Sequence, residues 1–238
     1  MKIINTKDEN FKEEFKNILN RAKVDIKKVS GIVNGIIDEI VEQGNEAVIR
    51  HVKKFDEWTP KNEDELFVDE KDMEIAYNNI DDKLKKSLHL AYDRIKSYHE
   101  KQLPKSWMTY EDNGTILGQK VTAVDAAGLY IPGGKAAYPS SLLMNAIPAI
   151  VAGVKRIVVC TPTPNNEPNE LLLAACHLCG IKTVFKVGGA SAIAAMAYGT
   201  NTLKKVDVIT GPGNIFVATA KNLYLVKLIL IWLQVLVK

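Results

Sequence analysis

One construction recurs three times in the second half of this chain and constrains the fold more than any other feature. A short apolar run ends in a glycine turn, and an apolar helical pattern follows. Val124 to Ile131 runs into Pro132-Gly133-Gly134. Val184 to Val187 runs into Gly188-Gly189-Ala190, and Val206 to Thr210 into Gly211-Pro212-Gly213-Asn214. Glycine has no Cβ, so such a turn lets the backbone approach a ligand closely. A helix starting just beyond it aims free N–H groups at an anion. In a parallel sheet, three such turns at strand C-termini line one ligand-binding edge.

From Ile116 to Ala220 the chain is rich in Ala, Gly, Val and Ile and poor in charge. The pattern predicts strand 116–131, helix 139–153, strand 156–160, helix 168–179, strand 183–187, helix 190–198, strand 206–210 and helix 213–223. Such alternation implies a parallel sheet covered by helices. The run Arg156 to Cys160 suits a strand buried on both faces. Upstream, residues 8–58 read as helix with a break at Gly44, and Thr59-Pro60 ends it. A short strand is expected at Leu66 to Val68, a helix from Asp69, and a long amphipathic helix from Asp81 to Gln102, stopped by Pro104. The change of composition near Gly114 places a domain boundary about 112–117. The expected division is a helical N-terminal region with part of an α/β domain (1–114), a Rossmann-like α/β domain (115–222) and an aberrant apolar tail (223–238).

A chain of 238 residues, 47% hydrophobic and 25% charged, is ordinary globular protein. A net charge of +3 without a basic-aromatic patch gives no case for nucleic acid. The charged start MKIINTKDENFKEEF lacks the apolar core of a signal peptide, so the expected location is the cytoplasm. Three cysteines cannot pair evenly, which fits a reducing compartment.

Each candidate site residue carries two readings. The turns do not spell G-x-G-x-x-G, and each alone is also an ordinary β-to-α turn. Tyr130, just before the first turn, is a ligand contact or a half-buried strand tyrosine. Asn214 is a ligand contact or simply a helix N-cap. Lys135 meets a phosphate or solvent. Cys176-His177-Leu178-Cys179 has half of a metal-site spacing, with no second pair to complete four ligands; buried helix cysteines are the stronger reading. His51, His89 and His99 fall in charged helical stretches away from the glycine turns, and no nucleophile arrangement follows from their positions.

In series, GLYIPGGKAAYPSSLLMNAIPAIVAGVKRIVVCTPT, VFKVGGASAIAAMAYGT and VDVITGPGNIFVATAKNLY resemble the histidinol dehydrogenase family. The order and spacing of the three blocks match, and the resemblance covers about residues 1–224. It implies a Rossmann-like parallel sheet with helices on both faces, beside an incomplete second α/β domain. It also implies a homodimeric enzyme that uses zinc and NAD to oxidise L-histidinol to L-histidinaldehyde and then to L-histidine. By resemblance, the NAD-binding positions are Tyr130, Asn214 and Ser191. The family usually has glutamine at the last, and serine lacks the amide's paired donor and acceptor. The family's zinc ligands and its Glu-His general base come from later in its longer chain. No catalytic and no metal-binding residue is therefore assigned here, and the N-terminal helices are expected to lack partners and to leave an apolar patch exposed. A non-catalytic nucleotide-binding or interaction module derived from the family is the second reading.

The tail from Leu223, LYLVKLILIWLQVLVK, breaks the pattern. It falls short of the ~20 apolar residues of a spanning helix and Lys227 interrupts it, so no membrane role is expected. It is apolar nearly all round, unlike a surface helix. Permitted codons for Leu225 to Lys238, read with one base restored, spell FGKIDIDMVAGPSE, which resembles what the family carries at this point. A one-base frameshift is therefore expected in the gene. Sequencing the DNA from about codon 215 onward tests it: codons for Leu225 to Lys238 that cannot give this string in the neighbouring frame would sink the idea.

Overall fold

The computed structural model describes residues 4–21, 26–133 and 138–236. The first helices are α1 (Phe11–Arg21), α2 (Ile26–Gln43), α3 (Asn45–Phe55), α4 (Glu70–Asn79) and α5 (Asp82–Glu100). A hairpin, β1 (Trp107–Tyr110) and β2 (Ile116–Gln119), leads to the alternating part. That part runs β3 (Ala126–Tyr130), α6 (Pro139–Ala152), β4 (Arg156–Cys160), α7 (Glu170–Leu178), β5 (Thr183–Phe185), α8 (Gly189–Tyr198), β6 (Val208–Thr210) and α9 (Ile215–Leu236).

Local chemistry sets several boundaries. Asp69, Asp81 and Asn169 accept backbone N–H groups of Lys71, Leu84 and Leu172 and cap α4, α5 and α7. Pro139 opens α6, where its missing N–H costs nothing, and Gly153 closes it in the left-handed conformation.

The four main strands are parallel in the order β5-β4-β3-β6. Numbered from β3, that is 3-2-1-4, one half of a doubly wound sheet. Side chains alternate across it. Tyr130, Val158, Cys160 and Phe185 face a layer built from α2, α3, α8 and α9. Leu129, Ile131, Val159 and Val184 face a layer built from α4, α5, α6 and α7. The expected α/β sheet with helices on both faces is thus present.

Three expectations are corrected. Residues 116–131 do not form one strand: Ile116–Gln119 turns back on Trp107–Tyr110, and the sheet strand begins only at Ala126. The polar-apolar mixture of Trp107–Tyr110 hid β1. The expected strand at Leu66 to Val68 is a single helical turn, Asp64–Leu66, followed by a bridge from Phe67 to Phe185. Four of the N-terminal helices do find partners in this chain, α2 on α8 and α9, α3 on α2 and α8, α4 on α7, and α5 on α6. Apolar side chains nevertheless stay exposed on these helices, as expected, among them Phe15, Ile18, Ile32, Val41, Phe55, Ile75 and Leu90, and more are exposed on the hairpin, where Trp107, Met108, Tyr110, Ile116 and Leu117 all face solvent.

Gly128, in the middle of β3, is fixed by close packing. A Cβ there would lie 2.5 Å from the Met196 sulfur and 3.0 Å from Val206 Cγ2. Gly128→Ala is expected to destabilise the fold by about 1–3 kcal/mol through overpacking, read as a lower midpoint in urea unfolding with unchanged slope.

Candidate functional site: the C-terminal edge of the sheet

Four turns meet beyond the strand C-termini, and two residues hold them together. Tyr130 ends β3 and is only 4% exposed. Its hydroxyl accepts the backbone N–H of Gly189 at 3.1 Å, tying the β3 turn to the β5 turn. Its backbone carbonyl lies against Gly211, whose φ of +109° and lack of space exclude a Cβ. Pro162, after β4, fills the space between the other two glycines. A Cβ on Gly133 would lie 2.6 Å from its carbonyl oxygen, and one on Gly188 2.5 Å from its Cβ. The turns are therefore locked by backbone approaches that only glycine allows.

Asn214 is exposed at the start of α9. Its Oδ1 accepts the N–H groups of Phe216 and Val217, each at 3.1 Å. The N-cap reading is therefore correct, and it leaves the Nδ2 amide as a donor at the edge. Lys135 and Gly134 lie outside the described residues.

Ser191 is in the first turn of α8, 2% exposed, with its hydroxyl 3.0 Å from Nδ1 of His51. His51 Nε2 lies 2.9 Å from Glu39 Oε2. Burial pushes the imidazole below its ordinary pKa, with Glu39 opposing, while the Glu39 carboxylate is lowered mainly by its hydrogen bond to His51. In the neutral ring Nε2–H donates to Glu39, so Nδ1 accepts from the Ser191 hydroxyl. The sequence reading set all three of His51, His89 and His99 apart from the glycine turns. His51 corrects it, across a separation of 140 residues. Ser191 and His51 are buried while Glu39, on α2, is exposed, so this Ser-His-Glu chain ties α8 to α3 and α2 with its serine hydroxyl closed from solvent.

Cys176 and Cys179 are buried in the core, where burial raises the Cys176 thiol and pushes that of Cys179 up to about 12. His177 packs on the Tyr77 ring. Among the described residues no group of His, Cys, Asp and Glu is arranged to hold a metal ion, and no helix is long and apolar enough to cross a membrane.

A polar group at this edge escaped the sequence reading altogether. Asp56, just after α3, is 6% exposed and its carboxyl is raised to about 6 by burial. Its backbone carbonyl accepts the N–H of Asn165, in the turn after β4, at 2.8 Å. Nearby, Lys186 is 8% exposed, with Nζ 2.8 Å from Asn166 Oδ1 and 4.8 Å from the centre of the Trp58 ring.

The sequence model of the histidinol dehydrogenase family matches residues 19–231. This chain belongs to the histidinol dehydrogenase family. It is 67% identical over 218 residues to the histidinol dehydrogenase of Sulfurimonas denitrificans, covering 92% of this chain and 51% of that protein. The histidinol dehydrogenase of Wolinella succinogenes is 65% identical over 223 residues, covering 94% and 52%. The crystal structure of histidinol dehydrogenase from Elizabethkingia anophelis superposes with a TM-score of 0.77 at 33% identity, covering 82% of this chain and 44% of that one. The chain thus spans about half the length of the curated relatives it matches.

Asp56 also sets a pH dependence. Its folded pKa lies above the unfolded value, so the folded state holds the proton more tightly, and stability falls as pH rises from about 4 to about 6. Asp56→Asn is therefore expected to raise stability by about 2 kcal/mol near pH 8, with the gain shrinking toward zero near pH 4. Urea unfolding at a series of pH values checks it; a gain independent of pH would contradict the assignment.

Proposed function

We propose that this chain is the nucleotide-binding half of a histidinol dehydrogenase and that NAD binds at the C-terminal edge of its sheet. The observation that carries the reading is the convergence of the β3, β5 and β6 turns on Tyr130. A half of a doubly wound sheet takes its dinucleotide at this edge, where backbone N–H groups and absent Cβ atoms admit the phosphates. A buried hydroxyl without a partner, Thr210 Oγ1, stands at the end of β6 beside the Gly211 turn. The residues present therefore fit the cofactor.

In this reading Tyr130 lines the nucleotide site and holds the Gly189 turn, and Asn214 donates its Nδ2 amide to the cofactor while its Oδ1 caps α9. Ser191 acts from behind, fixing the first turn of α8 through His51. When bound, NAD accepts the hydride in each step of an oxidation of L-histidinol to L-histidine, the end of histidine biosynthesis. The described residues do not fit zinc, and no step through the metal is assigned to them. The reading includes a homodimer in the cytoplasm and no histidinol turnover by the 238-residue chain alone.

Asn214→Asp separates the cap from the ligand contact. Aspartate caps a helix as well as asparagine but has no amide donor. The variant is expected to melt with the parent and to bind NAD+ about tenfold more weakly by calorimetry. Binding equal to the parent would leave Asn214 as a cap alone.

A further inference from the structure

Asp56 is poorly explained as a structural residue. Buried carboxylates are ordinarily paired or hydrogen-bonded, because desolvating the charge costs several kcal/mol. The Asp56 carboxylate has neither a hydrogen bond nor an ion pair among the described residues, and burial alone accounts for its raised pKa. The buried lysine held in these loops does not answer it. Lys186 is held by Asn166 and the Trp58 ring, and the acids that act on it are Glu65 and Asp72.

Its position matches a known requirement of the topology. In a doubly wound sheet, an acid at the end of the second strand receives the ribose hydroxyls of the nucleotide. Here the second strand is β4, and it runs out into Cys160-Thr161-Pro162-Thr163-Pro164, which contains no acid. Asp56 comes to that place from α3. The Asn165 N–H binds its carbonyl, and its charge is felt at the Tyr130 hydroxyl, which itself holds the Gly189 turn. Two more buried polar atoms in the same loops lack partners, Trp58 Nε1 and Thr163 Oγ1. The three non-glycine residues with positive φ among those described, Glu57, Asn165 and Asn166, flank Asp56 and its partner loop. Strain and unsatisfied groups concentrated at one spot are the signature of a site shaped for a ligand.

We propose that the Asp56 carboxylate accepts the adenosine ribose hydroxyls of the bound dinucleotide and sets its preference for NAD over the 2′-phosphorylated form. The assignment rests on the NAD reading above. An ionised carboxylate accepts hydrogen bonds from a free diol but repels a phosphate at the same position. The acid that the second strand lacks is thus supplied from a different part of the chain.

Calorimetric titration of the full chain with NAD+ and with NADP+, for the parent, Asp56→Asn and Asp56→Ala, tests it. The parent is expected to bind NAD+ at least about tenfold more tightly than NADP+. Both variants should lose about tenfold in NAD+ affinity, less for asparagine, and the gap to NADP+ should close. Melting curves exclude misfolding, since Asp56→Asn is expected to be more stable than the parent at neutral pH. A parent that binds both nucleotides equally, or variants that keep the parent's ratio, would overturn the assignment and leave the NAD reading standing. A parent that binds neither would remove both.

Discussion

The bond from the Gly189 N–H to the Tyr130 hydroxyl is the contact on which the candidate site depends. β3 is an inner strand of the sheet, paired with β4 on one side and β6 on the other. Its last residue therefore stands where three turns meet. The side chain reaches one neighbouring turn, and the backbone carbonyl receives another at Gly211. Pro162 fixes the rest of the rim by packing against Gly133 and Gly188. None of these contacts is strong alone, but each tolerates almost no displacement, and a rim held this way is preorganised before any ligand arrives.

Preorganisation is also visible in what the edge leaves unsatisfied. Buried polar atoms in native proteins nearly always find partners. Trp58 Nε1 and Thr163 Oγ1, in loops, and Thr210 Oγ1, at the end of β6, do not. Asp56 adds a buried carboxylate whose charged form is disfavoured in the fold. The fold bears these costs because two apolar layers, one on each face of the sheet, are closed and continuous. A functional edge that detracts from stability while the core supplies it is a common division of labour.

How far the sequence revealed all this depends on the range of the interaction. The parallel sheet followed from short apolar runs alternating with helical ones, and β4, α6 and α8 fell within a residue or two of their expected bounds. Glycine turns announced the close backbone approaches at the strand ends because a missing Cβ is written in the residue itself. The hairpin at Trp107–Tyr110 and Ile116–Gln119 was missed because its strands bury no face and so carry no period of apolar residues. The roles of His51 and Asp56 were illegible for a different reason. Each acts across a large sequence separation, His51 on Ser191 and Asp56 beside the turn after β4, and no local pattern encodes a contact of that kind. An acid lying just outside a helix looks like any solvated loop acid until the fold closes over it.

On the proposed reading, the same geometry lets nucleotide binding and proton chemistry be carried by different stretches of one family chain. The strands β3 to β6 and the described parts of the turns that form the edge lie within 126–214, and the helices that bury the sheet on both faces lie within this chain as well. A site built on strand ends needs only its own sheet to be rigid. The acid, base and metal groups of a dehydrogenase need only approach that edge from outside. Here the described part of the edge is held by backbone contacts at Tyr130, Pro162 and the glycines, while the described residues offer no metal cluster to go with it. On the proposed NAD reading, binding and chemistry are separable in this fold, since the Tyr130, Pro162 and glycine contacts that shape the edge involve no metal cluster among the described residues.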